Sequence, residues 1–179
     1  FLMVGTLEPR KGHAQVLDAF ERLWLAGHRL TLVIVGKQGW MVDDLMDRIY
    51  AHPEKNIHLH WLQGVSDEFL TMLYKSSTAL IAASYAEGYG LPLIEAARYG
   101  LPVLARDIPV FREVAHEHAF YFGGESGLEL DEAVLRWLEL QQKDMYPNPH
   151  AMRASSWKKS AQRLLQLIDP ELDTSKTHG

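Results

Sequence analysis

The feature that most constrains the fold is an alternation of short apolar runs with stretches of helical periodicity. Apolar runs occupy residues 1–4, 30–35, 57–62, 79–83, 103–105 and 120–122. Between them lie stretches too long for hairpin turns and patterned as helices. Residues 14–26 place Val16, Leu17, Phe20, Leu23 and Trp24 on one helical face, and Gly27 ends the pattern. Residues 42–50 form a second helix, with Asp43 and Asp44 near its positive end and Pro53 beyond it. Ser66 begins a third, with Glu68 nearby and residues 69–74 carrying it. Residues 91–99 and 128–141 read as helices, and 109–114 as a short turn or helix. Pro147 and Pro149 interrupt, a last helix is expected over 154–168, and the polar stretch 169–179 is expected to be a disordered tail. Parallel strands need such crossovers, so the pattern predicts an α/β fold with a doubly wound, Rossmann-like parallel sheet. Ligands of such sheets bind outside the carboxyl ends of the strands. The loops that matter are then 5–12, 36–40, 63–66 and 84–90.

Composition narrows the class. The chain has 179 residues, is 47% hydrophobic and carries a net charge of −5 without a basic block, which argues against nucleic acid as a partner. It has no cysteine, so disulfides and thiolate metal sites are excluded. No apolar run approaches the ~18 residues of a membrane span, and a cytoplasmic location is expected. The chain opens inside an apolar run, at Phe1-Leu2-Met3-Val4, which leads us to expect an excised fragment of a longer protein.

One segment carries chemistry. Strand 79–83 runs into Ser84-Tyr85-Ala86-Glu87-Gly88-Tyr89-Gly90, and then into Leu91-Pro92-Leu93-Ile94-Glu95. Pro92 suits a first helical turn, where its missing N–H costs nothing, and Gly100 suits a left-handed stop. Gly88 and Gly90 permit close approach of a ligand to the backbone. The helix start offers free N–H groups and a positive dipole end to an anion such as a pyrophosphate. Glu87 and Glu95 can face the same ligand. A tight turn with Glu95 merely solvated is the bland alternative, and the glycines match neither the dinucleotide signature nor a Walker A loop.

The whole pattern, two glutamates flanking seven residues around a proline-containing helix start, resembles the Glu-x7-Glu motif of retaining GT-B glycosyltransferases, especially the large family 4. The resemblance covers nearly all of residues 1–168. Val4-Gly5-Thr6-Leu7-Glu8-Pro9-Arg10-Lys11-Gly12 is similar to the family's first loop in its C-terminal domain. Val35-Gly36-Lys37-Gln38-Gly39-Trp40 is similar to the second, and Leu62-Gln63-Gly64-Val65-Ser66-Asp67 to the loop that holds the base. Residues 102–105 and 109–114 are similar to the segment after the motif helix.

The resemblance implies that residues 1–168 are the nucleotide-sugar-binding half of a two-domain enzyme, with the N-terminal acceptor domain absent. It implies that Lys11 and Arg10 reach the donor diphosphate, and that Glu87 bonds donor-sugar hydroxyls. Gly5, Thr6 and the backbone of Gly88, Tyr89, Gly90 and Leu91 then line the phosphates and sugar, Glu95 bonds the ribose, and Val65 lies by the base. Many family members carry Arg where this chain has Thr6, which removes one phosphate cation; Arg10 is the available substitute. Cations and a helix N-terminus suit this chemistry because negative charge grows on the diphosphate as the glycosidic bond breaks. In a water-excluded site one such donor is worth about 3–4 kcal/mol. No Asp-x-Asp pair is present, and no metal or cofactor is expected. The Leu-Glu-Pro-Arg-Lys form of the first loop is similar to that of bacterial mannosyltransferases, which favours GDP-mannose as donor and leaves UDP-sugars open. The acceptor implied is a glycan or lipid-linked sugar, reached through the absent domain. That leaves peripheral association of the full-length enzyme with the cytoplasmic membrane face open.

Other features favour plainer readings. His58 and His60 alternate, and His116 and His118 lie two apart, but neither pair has a third ligand at a recognisable spacing. Trp24, Trp61, Trp137 and Trp157 are expected in the core, and Trp40 at a strand-end loop. Ser155-Ser156 near His150 suits helix capping, not a nucleophile elbow. Competing functions are a GT-B sugar-nucleotide epimerase, a non-catalytic nucleotide-binding module, and a receiver-like signalling domain. The last needs acidic residues after the first strand, where this chain is basic.

Overall fold

The computed structural model describes residues 1–124 and 126–152. The helix expected over 154–168, with Ser155, Ser156 and Trp157, and the tail 169–179 lie outside the described residues. Six strands form one sheet: β1 (Leu2–Val4), β2 (Leu32–Val35), β3 (Leu59–Leu62), β4 (Leu80–Ala82), β5 (Val103–Arg106) and β6 (Phe120–Phe122). Every pairing is parallel, and the order is β3-β2-β1-β4-β5-β6. The chain winds outward to β3, then returns to the far side of β1. The reversal between β1 and β4 is the switch point at which doubly wound sheets bind ligands.

Period-two alternation assigns each strand residue to a face. Met3, Ile34, Leu59, Ile81 and Leu104 belong to one apolar cluster, whereas Leu2, Val35, Leu80, Val103 and Ala105 belong to the other. Helices α1 (His13–Leu25), α2 (Asp43–Ala51) and α6 (Gly127–Gln142) cover the first face through Phe20, Ile49 and Trp137 among others. Helices α3 (Asp67–Ser76), α4 (Leu91–Arg98) and α5 (Pro109–Ala115) cover the second through Tyr74, Leu93 and Phe111. A sheet buried on both faces explains why its strands read as continuous apolar runs. Phe20 is fully buried and meets Phe1 edge-on at 5.6 Å and Trp24 at 5.8 Å. Truncating such a ring to alanine costs about 3–5 kcal/mol.

Local signals set the ends of the elements. Ser66 caps α3, its hydroxyl accepting from the Phe69 N–H at 3.2 Å. Ser126 and Glu129 close a reciprocal capping box at the start of α6. Element limits differ from expectation at several points, among them β2, which starts at Leu32 rather than residue 30. Strand β3 starts at Leu59 rather than residue 57, because the Glu54 carbonyl accepts from the N–H groups of Ile57, His58 and Leu59 while Asn56 takes a left-handed φ of 62°. Strand β5 runs one residue further, to Arg106. The first loop contains a 3-10 turn, Pro9–Lys11, closed by Gly12. Among the described residues no helix is long and apolar enough to cross a membrane.

Candidate active site

The loops after β1 and β4 meet at the switch point. Gly12 makes this possible. It adopts φ 73°, and a β-carbon there would lie 2.3 Å from the Ala83 carbonyl oxygen. Only a glycine lets the first loop close so tightly on the end of β4. The Tyr85 N–H then donates to the Arg10 carbonyl at 2.8 Å, joining the two loops by backbone.

That closure brings Lys11 to Glu87, with Nζ 2.5 Å from Oε1. Ser84 donates its hydroxyl to the same Oε1 at 2.7 Å. Arg10 lies 3.4 Å from the other carboxylate oxygen, donates to the Ala86 carbonyl at 3.3 Å, and pairs with Glu8 at 2.8 Å. Burial pushes the Glu87 carboxyl up, but hydrogen bonds from Lys11 and Ser84 and the charges of Lys11 and Arg10 outweigh it. The group is held below the ordinary carboxylate range.

Beside this pair opens a pocket of about 370 Å³. Its walls contain Gly5, Thr6, Arg10, Lys11, Glu87, Tyr89, Gly90, Leu91 and Glu95, together with Val4, Glu8 and Pro92. Every residue expected to touch the donor is therefore in its wall except Gly88 and Val65. Gly88 is exposed in the loop, and Val65 packs half-buried against the second apolar cluster. Trp40 is exposed and is not in the wall.

Helix α4 points its N-terminus at the pocket. Gly90 caps it with φ 74° and no side-chain bond, and Pro92 sits in the first turn, which has no acidic residue. Pro92 has no N–H and the Leu93 N–H turns back to the Gly90 carbonyl at 3.0 Å, so the helix offers an anion the Leu91 N–H and the positive end of its dipole. Glu95, one turn further, accepts from the Tyr74 hydroxyl at 2.6 Å. Burial first, and then the bond to Glu95, push the Tyr74 hydroxyl far up, so it stays a donor. One carboxylate oxygen of Glu95 is thereby fixed from behind, while the residue itself remains exposed at the pocket.

Sequence reading missed several participants. Ser84 and Tyr74 position the two glutamates. Glu8 lines the pocket and pairs with Arg10. His13 opens α1 and is 2% exposed. Burial first, and then the charge of Lys11, lower its pKa to about 4 against a bond to the Glu8 carbonyl. Arg106 and Gln15 are buried beneath the two loops. Only Arg106 carried a visible signal, a charge at the end of an apolar strand. Among the described residues no group of three His, Asp or Glu side chains could hold a metal ion.

The architecture recurs in solved structures of low sequence identity. The catalytic domain of starch synthase IV from Arabidopsis thaliana, bound to ADP and acarbose, matches 93% of this chain with 37% of its own, at TM-score 0.73 and 19% identity. The C-terminal domain of a glycosyl transferase group 1 family protein from Francisella tularensis matches 83% of this chain and 80% of its own, at TM-score 0.70 and 16% identity. Among curated proteins, the serotype-specific mannosyltransferase WbdA of Escherichia coli is 55% identical over 166 residues. Those residues are 93% of this chain and 20% of the relative, so the chain spans about a fifth of that protein's length. The O-antigen chain mannosyltransferase B of Escherichia coli is 31% identical over 131 residues, 73% of this chain and 32% of its own. Residues 1–155 match the family described as glycosyl transferases group 1. With its doubly wound sheet and a basic loop facing a helix N-terminus across the switch point, the chain belongs to the group 1 glycosyl transferases.

Proposed function

We propose that this chain is the donor-binding domain of a retaining glycosyltransferase that holds a nucleotide-diphospho-sugar, GDP-mannose in preference to a UDP-sugar. The sugar passes to a glycan or lipid-linked acceptor held by an N-terminal domain outside this chain. One observation carries the reading: Lys11, Glu87 and the open N-terminus of α4 converge on a single pocket at the switch point. Lys11, Arg10 and the positive end of α4 supply the potential that a departing diphosphate needs. Glu87, kept ionised, accepts from sugar hydroxyls. Glu95, steadied by Tyr74, accepts from the ribose. The named mannosyltransferases among the relatives support mannose as the sugar.

The test has two arms. Thermal shifts of this chain with GDP, UDP, ADP and their sugars read donor choice, because a ligand of the native state raises stability by RT ln(1 + [L]/Kd). Radiolabelled GDP-mannose with the longer protein reads transfer. A stabilising response to GDP and GDP-mannose, with label moved to acceptor, is expected. A response confined to another nucleotide overturns GDP-mannose, and no response to any of them overturns the donor site.

A further inference from the structure

Arg106 ends β5 with only 5% of its surface exposed, beneath the two loops that form the pocket. Its Nε donates to the Ala83 carbonyl at 3.0 Å. One terminal nitrogen donates to the Gly124 carbonyl and the other to Oε1 of Gln15. The guanidinium lies 4.0 Å from the centroid of the Tyr85 ring, on the face of the loop that carries Glu87. The Phe122 ring lies 5.4 Å away. Gln15 is buried too, and its amide nitrogen donates to the Ser126 carbonyl at 2.6 Å.

These contacts bracket the functional segment. Ala83, against which Gly12 closes, is held by Nε, and Tyr85, which bonds the Arg10 carbonyl, is held by stacking. Ser84 sits between them and donates to Glu87. We propose that Arg106 is a positioning residue of the donor site: one buried guanidinium clamps Ala83 and Tyr85 so that Ser84 and Glu87 meet Lys11. The inference rests on the donor-binding reading for its consequence, but the clamp itself can be read without ligand.

Arginine suits the task and lysine does not. Its planar fork reaches three acceptors in fixed directions and stacks on an aromatic face, whereas an ammonium is a point charge without a face. Burying the cation is costly, and well-packed apolar residues often replace buried charges without loss of stability. The return on keeping a charge at the end of β5 is therefore geometric: a loop held in one place.

The test compares Arg106→Lys and Arg106→Met in this chain with a distant core control, Phe20→Leu. The first measurement is the carboxyl titration of Glu87 by NMR in the free, folded protein. The second is the dissociation constant for GDP. Both Arg106 variants are expected to move the Glu87 titration up toward the ordinary carboxylate range and to weaken GDP about tenfold. Phe20→Leu lowers stability and moves neither. If Arg106→Met fails to fold, Arg106→Lys and Tyr85→Leu carry the comparison, since the latter removes the stacked ring and leaves the cation bonded. An unchanged Glu87 titration in folded Arg106 variants, or an equal change in the control, overturns the clamp. Failure of the wild-type chain to bind GDP, with the titration shifted as expected, overturns the donor assignment and leaves the clamp standing.

Discussion

Lys11 and Glu87 stand 76 residues apart in the chain and meet at 2.5 Å across the switch point. Both side chains are largely shielded, at 15% and 10% exposure. In such surroundings a cation and a carboxylate hold each other in place more firmly than at an open surface. The lysine is thereby aimed at the pocket before any ligand arrives. An ammonium has three donors, so it can keep Glu87 while it turns another N–H to a phosphate oxygen.

Lys11→Ala should therefore act twice. Binding of a nucleoside diphosphate weakens by about 1.5–3 kcal/mol, the scale of charge-assisted hydrogen bonds. The Glu87 carboxyl, losing its main partner, titrates at higher pH than in the wild type. Calorimetry and NMR titration read the two effects. A wild-type dissociation constant in a folded Lys11→Ala chain excludes contact with the diphosphate.

Glu95 faces the pocket with one oxygen tied to Tyr74. If it accepts from ribose hydroxyls, Glu95→Gln weakens a ribonucleotide more than its deoxy analogue. Tyr74→Phe, which frees the carboxylate without moving its charge, should do the same to a smaller degree. Equal losses for both nucleotides would place Glu95 elsewhere in the reaction.

What the sequence made legible was local. Pro92 in a first turn, Gly100 at φ 70° after α4, and Ser66 as a cap each act within a few residues of themselves, so their roles appear in the letters. The doubly wound parallel sheet followed from similar logic, because parallel strands need helical crossovers, whereas the strand order β3-β2-β1-β4-β5-β6 came from the structure. The partners of the glutamates were not legible. Tyr74 reaches Glu95 across 21 residues and Arg106 reaches Gln15 across 91. Such contacts depend on which helices share a face, and no spacing rule spans two elements. The start of β3 was misread for a related reason. Ile57 and His58 alternate as a strand should, yet three of the local N–H groups already have the Glu54 carbonyl as partner.

Two left-handed glycines separate backbone strain from contact. Gly27 has φ 87° with nothing within 4 Å of a β-carbon, so Gly27→Ala should cost about 1–2 kcal/mol from conformation alone. Gly12→Ala meets the Ala83 carbonyl as well. It should cost more, and it should also weaken nucleotide binding by parting the two loops. Denaturant unfolding and GDP titration of both variants check this. Equal stability losses, or unaltered GDP affinity in Gly12→Ala, would mean the loops do not depend on that approach.

His13 gives the fold an acid limit above that of its carboxylates. Burial, with the charge of Lys11 beside it, lowers its pKa from 6.5 to about 4. The unfolded chain therefore takes up this proton at higher pH than the native one. Between pH 6.5 and 4 the unfolded state binds more protons, and stability falls as the pH drops. The full effect is about 3 kcal/mol, taking 1.36 kcal/mol for each tenfold difference in proton affinity. Glu87 acts in the same direction but lower. Its depressed carboxyl contributes stability above its ordinary pKa of 4.5, and that contribution is lost as pH falls through the native value. Replacing His13 with glutamine separates the two. Above pH 6 both proteins share the slope set by the buried Phe1 ammonium, lowered from 8.0 to about 6. Urea unfolding of His13→Gln at pH 6, 5 and 4.5 should then give a clearly shallower profile than the wild type, while both decline together at more acid pH. Parallel slopes in the two proteins across that range would show that His13 is free to protonate in the folded state.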